Sequence, residues 1–375
     1  MAQGAYTADF NFSIEKEMKV INERGYMNML SSENIWYPKI LRQRPMEGKS
    51  ERLTWLLSTA SIEQITPNDG GENGGSINFD ALATITQEFF PAEHRKGYKI
   101  GKLKFLNFLN GGINPAARWA EDIGTYGAYY PQRLLAQVIL YGGTLIGYDG
   151  VSFFNTAHPV HPLIPALGTY ANDFTGAASG GYPGALPIDD SVTIDVAATN
   201  LSKALSYIMG RVRQPNGAGD PRLLEPAYLM YPPRMAARVE MLLDSDFIPQ
   251  QSTGGAGSAD IKAFFKKFRL SEPVLAKELD AGTTYTFPGP TGATVSVSGS
   301  DTTYYIATKE ASSTELGAFI ENRRLPFTLH TYSGESGSEG VDAVLGRSHD
   351  LEWHYDGWTA VNPGHPYGFF RFQGA

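Results

Sequence analysis

The sequence contains no cysteine, so disulfide staples and thiolate metal sites are excluded and a reducing cytosol is an adequate place to fold. It has no run of 18 consecutive apolar residues, and its start, MAQGAYTADF, lacks both a basic region and an apolar core. Neither a membrane-spanning helix nor a secretory signal is expected. Basic residues are in deficit: 31 Lys and Arg stand against 39 Asp and Glu, a net charge of −8 at pH 7. A dedicated nucleic-acid binder normally shows the opposite balance, because phosphates have to be neutralised. Charged residues are only 19% of the chain, whereas 41 Gly and 23 Pro supply turns, so a mixed α+β chain rich in loops is expected. At 375 residues it has room for two or three lobes around a sizeable core.

Signatures of catalysis are also missing. No G-x-S-x-G elbow occurs, and the glycine clusters at 70–75 and 254–257 lack the Lys-Ser/Thr and the strand-to-helix context of a phosphate loop. Carboxylates are plentiful, but no pair is singled out for acid–base work. The one candidate ligand cluster is His158 and His161 with Asp149 nearby. Zinc uses histidine pairs, and a metal-dependent hydrolase built on His158 and His161 is the alternative reading of the chain. Against it, Pro159 and Pro162 follow the two histidines, disfavouring the helical geometry of metalloprotease motifs, and the general-base Glu is absent. The other reading has the prolines fixing an extended turn, with the imidazoles hydrogen-bonding backbone or stacking on Phe153 and Phe154. No catalytic, cofactor-binding or metal residue is assigned.

What the chain does have is an organising stretch, Asn114 to Pro162. Asn114 caps and Pro115 opens a long helix, since a proline at the first helical position loses no hydrogen bond. Ala116, Trp119, Ile123, Tyr126, Tyr130, Leu134 and Val138 recur at helical spacing as one apolar stripe, and Gly142-Gly143 ends the helix. Pro131 predicts a kink or two abutting helices. A turn at Tyr148-Asp149-Gly150 follows, then Phe153-Phe154 and His158-Pro159-Val160-His161-Pro162.

This arrangement, a long helix carrying WA-x-DIG and YP and then YDG-x-x-FF-x-x-x-HP, resembles the major head subunits of Mu-like tailed phages and prophages. The resemblance implies an HK97-like capsid fold, with an N-terminal arm over residues 1–46 and an extended β-hairpin loop with flanking strands over 47–112. The spine helix and peripheral-domain loops then occupy 113–189, the axial domain 190–320 and the C-terminal peripheral-domain strands 321–375. It also implies a major capsid protein that self-assembles, as pentamers and hexamers, into an icosahedral shell enclosing double-stranded DNA. Scaffold or protease, portal and decoration proteins are the partners it implies. No cofactor and no membrane is involved, the place of assembly is the host bacterial cytoplasm, and the final location is the virion. The acidic balance suits a shell wall whose inner face must not adhere to packaged DNA.

Taken in order, a helix is expected from Ser13 to Leu30, burying Ile14, Met18, Ile21 and Met27 either on a neighbouring subunit, as the resemblance has it, or on its own core. Two β-capable runs flank the polar tip TPNDGGENGGS (66–76), the pattern of a long hairpin that buries little by itself. A second helix opens at Asp190 or Ser191 with Val196, Leu201, Ala204, Leu205 and Ile208 on one face. Ala227–Tyr231 reads as a buried strand, and a third helix carries Met235, Val239, Leu242 and Leu243. The basic, aromatic piece KAFFKKFRL (262–270) is read as a solvated face, a contact between copies, or a stacking platform for single strands. Strands are expected at 284–288, 293–297 and 303–307, and Leu351, Trp353 and Tyr355 share the buried face of another. Arg42, Arg44, Lys49, Arg52, the 95–104 stretch and Arg323-Arg324 are either solvated or complements for contacts between copies.

Overall fold

The computed structural model describes residues 3–57, 83–176, 182–214, 220–244, 248–249, 258–259, 270, 272–289, 292–312, 317–331 and 350–373. The expected hairpin tip at 66–76 and all of KAFFKKFRL but Leu270 lie outside these residues.

The chain begins with α1 (Gln3–Leu30), ten residues earlier than its apolar pattern suggests, and passes to strand β1 (Leu41–Pro45). Strands β2 (Glu51–Leu57) and β3 (Ala83–Phe89) pair antiparallel as the expected hairpin. Then come β4 (Ala92–Gly101), α2 (Lys102–Asn110) and the long helix α3 (Pro115–Tyr141). Two-residue strands β5 (His158–Pro159), β6 (Thr169–Tyr170) and β7 (Asp173–Phe174) punctuate the loop before α4 (Ile194–Arg211). Next are β8 (Pro226–Tyr231), α5 (Ala236–Asp244) and the short pair β9 (Ile248–Pro249) and β10 (Ser258–Ala259). Strands β11 (Glu272–Leu275), β12 (Thr284–Pro288), β13 (Thr294–Ser298) and β14 (Thr303–Thr308) follow. The long β15 (Phe319–Thr331) and β16 (Asp350–Pro363) lead to the final β17 (Phe369–Gln373).

Two sheets organise this α+β fold. One has the order β1-β15-β16-β4 and the other β11-β8-β14-β17-β7. Helix α3 serves both. Its first half lies over the four-stranded sheet, where Ala116 and Ala120 meet Trp353 and Tyr355 of β16. Its second half places Leu135, Ala136 and Ile139 against Met230, Tyr305 and Phe369 of the five-stranded sheet. Because successive strand residues face opposite sides, Leu229, Ile306, Phe370 and Phe372 point the other way, onto Leu201, Leu205 and Ile208 of α4 and Val239 and Leu242 of α5.

Asn114 caps α3, its side chain accepting from Ala117 N–H at 3.0 Å, and the helix continues as one element through Pro131. The buried stripe differs from the expected one. Ala116, Ala120, Gly124, Gly127, Ala128, Pro131, Leu135 and Ile139 are buried, whereas the larger Trp119, Ile123, Tyr126 and Tyr130 flank them half-buried or exposed. Helix α1 approaches too closely for anything larger. A Cβ on Gly25 would sit 2.5 Å from Glu121 O, and one on Gly124 would overlap Asn22 O. Asn22 Nδ2 donates to Ala120 O at 2.9 Å and Met18 is buried in the same contact. Residues 16–30 of the N-terminal helix therefore pack on the spine of their own chain, although Met27 is exposed.

A buried polar knot joins three distant segments at the centre of α3. Gln132 Oε1 accepts from Trp36 N–H at 2.8 Å, Gln132 Nε2 donates to Glu278 Oε1 at 2.8 Å, and Trp36 Nε1 donates to Glu278 Oε2 at 3.0 Å. Both Glu278 oxygens are thus satisfied, which makes burying a carboxylate tolerable.

The C-terminal segment departs from expectation. Strands β15 and β16 do belong to the four-stranded sheet, but β17 crosses to the other one and pairs with β14 on one side and β7 on the other. Phe369, Phe370 and Phe372 are all fully buried. A strand apolar on both faces is stable only inside a sheet covered on both faces, which the edge of the four-stranded sheet cannot offer.

Candidate functional site

The His158 motif is built by the loop between α3 and α4. Gly142 ends α3 with φ −58, so it is not needed for left-handed backbone. It is needed for room, since a Cβ there would lie 2.7 Å from the Phe154 ring. The chain then turns through Gly150 (φ 81) and buries Phe153 and Phe154.

His158 is fully buried among acceptors. Its Nδ1 lies 2.6 Å from Asp149 Oδ2, and its Nε2 faces Phe153 O at 3.1 Å and Asn172 Oδ1 at 3.0 Å. The Asn172 amide is oriented without ambiguity: Oδ1 accepts from Asn155 N–H at 2.9 Å, while Nδ2 donates to the carbonyls of Phe153, Pro366 and Phe369. Both ring nitrogens of His158 are thus engaged by oxygen atoms of the chain itself, Nδ1 by Asp149 and Nε2 by Phe153 and Asn172. The ring stacks on Tyr170 at 5.4 Å rather than on Phe153 or Phe154. His161 is buried as well; its Nδ1 accepts from Leu163 N–H at 3.2 Å, its Nε2 has no partner among the described residues, and burial pushes its pKa down. Among the described residues no group of three or more His, Asp and Glu side chains is arranged to hold a metal ion. The hydrolase reading has no support in this geometry.

The motif instead ties the loop to the C-terminal strand. Arg371 N–H donates to Asn172 O at 2.8 Å, and its guanidinium makes two bonds to Asp173, at 2.9 and 2.7 Å, while lying 4.6 Å over the Phe154 ring.

A concavity of about 640 Å³ lies between α3 and β4. Its walls are aromatic: Tyr126, Tyr130, Phe327 and Tyr355, with Arg95 and Lys96 at the rim. His94 in its wall donates from Nε2 to Thr359 O at 3.2 Å, its Nδ1 pairs with Tyr130 Oη at 2.9 Å, and burial lowers its pKa. Among the described residues that line it none is an activated nucleophile, so the lining suits contact rather than chemistry.

The surface beyond is apolar where α2 leaves the sheet. Phe105 is buried beneath the helix, but Leu103 is 75% exposed, and Leu106, Phe108, Ile113 and, before β4, Phe90 are also exposed. Exposed large apolar side chains grouped on one element mark contact surfaces. Several basic residues expected to serve contacts between copies are paired within the chain: Arg44 with Glu51, Arg52 with Glu88, Lys99 with Glu352 and Arg323 with the fully buried Glu321. Arg324 lies over Trp358. Sequence reasoning missed Asn172, Gln132 and Glu278. No spacing signal exists for Trp36 and Glu278, which are 242 residues apart.

No protein-family model matches the sequence, and no curated protein matches it significantly. Solved structures do. The mature capsid of bacteriophage PhiM1 aligns at 12% identity over 91% of this chain and 87% of that one, with a TM-score of 0.51. The capsid of cyanophage P-SCSP1u aligns at 11% identity over 91% and 88%, with a TM-score of 0.52. A virus-like particle from Pyrococcus furiosus aligns at 12% identity over 94% and 98%, with a TM-score of 0.46. Identities this low speak to fold alone, and on the first two this chain, with its spine helix set across two sheets, has the HK97-like fold of phage capsid proteins.

Proposed function

We propose that this chain is the major capsid subunit of a tailed phage or prophage and that its role is structural rather than catalytic. The observation that carries the reading is the likeness to two phage capsids along nine-tenths of the chain. The local WA-x-DIG and YDG-x-x-FF-x-x-x-HP motifs favour a Mu-like head. In this reading copies of the chain associate as pentamers and hexamers in the cytoplasm of the host bacterium and close into an icosahedral shell. The exposed apolar face around α2 and the hairpin β2–β3 supply contacts between copies, which is where a subunit gains burial that it lacks alone. A net charge of −8 limits adhesion of packaged double-stranded DNA to a weak, salt-screened contact. Portal, decoration and scaffolding or protease proteins complete the particle.

Expression of the chain followed by sedimentation and negative-stain microscopy tests the proposal. Shell-sized or capsomer-sized particles are expected. A monodisperse small oligomer showing metal-dependent hydrolysis would overturn it.

A further inference from the structure

We infer that a cleft in the lobe formed by α4 and α5 receives a lysine or arginine side chain from a second copy of this chain; this deepens the capsid-subunit reading and rests on it. The cleft has a volume of about 210 Å³ and is lined by Asp189, Asp190, Arg234, Arg238 and Asp301 among others. At its base Asp189 is only 6% exposed. One carboxylate oxygen is satisfied locally, Oδ1 accepting from Ser191 N–H at 2.9 Å and from the Ser191 hydroxyl. The other, Oδ2, is buried with no hydrogen-bond partner among the described residues. A buried carboxylate oxygen without a donor is costly and calls for a cation or a strong hydrogen-bond donor.

The arginines in the lining are already engaged. Arg234 pairs with Asp301 at 3.2 Å, and Arg238 donates to the carbonyls of Ile188 and Val192. Three carboxylates and two committed guanidinium groups leave the cleft with an excess negative charge. A metal ion does not fit the observation, because among the described residues no such group is arranged to ligate one. An ammonium or guanidinium at the end of a flexible stem does, since it brings its own donors and reaches the base of a narrow cleft.

The chain offers such a group in quantity at one place. Ile261 to Arg269 carries Lys262, Lys266, Lys267 and Arg269 and no acidic residue. Of the roles its sequence allows this stretch, a contact between copies is the one that would bring a donor to the cleft. In a ring of copies, the cationic stretch of one subunit and the acidic cleft of the next form a head-to-tail contact that repeats around the ring.

Three full-length variants test this: Asp190→Lys, the pair Lys266→Glu with Lys267→Glu, and all three changes in one chain. Asp190 is exposed, so its reversal fills the cleft with an ammonium without touching the core, and near-UV circular dichroism with thermal unfolding confirms that each variant is folded. In sedimentation, the wild type and the triple variant are expected to form particles, and the two partial variants at least tenfold fewer. Mixing the two partial variants should restore hexamer-sized species, because alternating copies then match every cleft with an opposite charge. If the mixture fails while the triple variant assembles, the contact lies within one chain and the inference is overturned. If the partial variants assemble like the wild type, the cleft is not a contact, and the inference falls while the capsid reading stands. A wild type that forms no particles removes both.

Discussion

Two neighbouring effects compete at Gly124, and their magnitudes predict which wins. Replacing a helical glycine by alanine stabilises a helix by about 0.8–1 kcal/mol through backbone entropy. Here the new Cβ would overlap Asn22 O of α1, a backbone atom held by the helix around it, and overpacking of this kind costs roughly 1–3 kcal/mol. Gly124→Ala is therefore expected to lower the urea midpoint. Gly210→Ala, at an exposed position where a Cβ meets nothing within 4 Å, is expected to raise it. Equal responses at both sites would mean that the α1–α3 contact does not constrain the helix. The buried histidines make a second residue-scale prediction. Burial holds His94 below the ordinary imidazole value, and burial followed by the charge of Arg222 holds His365 well below it. Both are neutral when folded, whereas an unfolded histidine takes a proton near pH 6.5. The unfolded chain thus binds more protons as pH falls through that value, so the stabilisation is fully present above about 6.5 and is lost toward the lower folded values. Denaturation curves should show a lower midpoint at pH 5.5 than at 7.5, and a smaller difference in His365→Asn; an unchanged difference in that variant would show that His365 takes no part.

Among the elements, α1 has the most to gain or lose. Removing residues 1–30 exposes the small-residue stripe of α3 and deletes Met18, worth roughly 1.5–3 kcal/mol buried, together with the Asn22 bond to Ala120, worth about 1 kcal/mol. Against a total stability of about 5–15 kcal/mol, the truncated chain is expected to unfold at a clearly lower temperature even as an isolated subunit. A truncated chain as stable as the whole one, but unable to assemble, would place the contribution of α1 entirely between copies. The ends of α3 were legible in the sequence because a cap and a first-turn proline act locally. Its buried face was read one position out of phase: periodicity weights large apolar residues, while the close approach of α1 and β16 admits only Ala and Gly. Helix α4 starts at Ile194 and not at Asp190 or Ser191, because Asp189 captures Ser191 N–H and holds that segment as a turn. The same limit applies to the motif at His158. Its prolines argue against a metal and Asp149 stands near it in the sequence, but Asn172, the other side chain on its ring, comes from a turn whose approach no local pattern records.

At the scale of the whole molecule, the end of the chain closes what the spine helix opens. Strand β17 lies inside the five-stranded sheet, between β14 and β7. Phe369 points into the core shared with α3, while Phe370 and Phe372 point into the core beneath α4 and α5. Arg371 holds the loop of the histidine motif through Asp173 and Asn172. One short segment therefore contributes to both faces of the sheet and to the loop that leaves α3. Ending the chain at Pro363 would remove three fully buried phenylalanines, at roughly 1.5–3 kcal/mol each, and would leave β14 and β7 with unpaired edges inside the protein. That loss approaches or exceeds the about 5–15 kcal/mol by which a domain of this kind is stable. The truncated chain is expected to lose its near-UV circular dichroism and to accumulate in the insoluble fraction. By contrast, Arg371→Lys keeps the charge but loses the two-point bond to Asp173, and is expected to fold with a lower midpoint. If the truncated chain instead unfolds cooperatively at the wild-type temperature, the C-terminal strand is an accessory to the sheet and not the piece that joins its two cores.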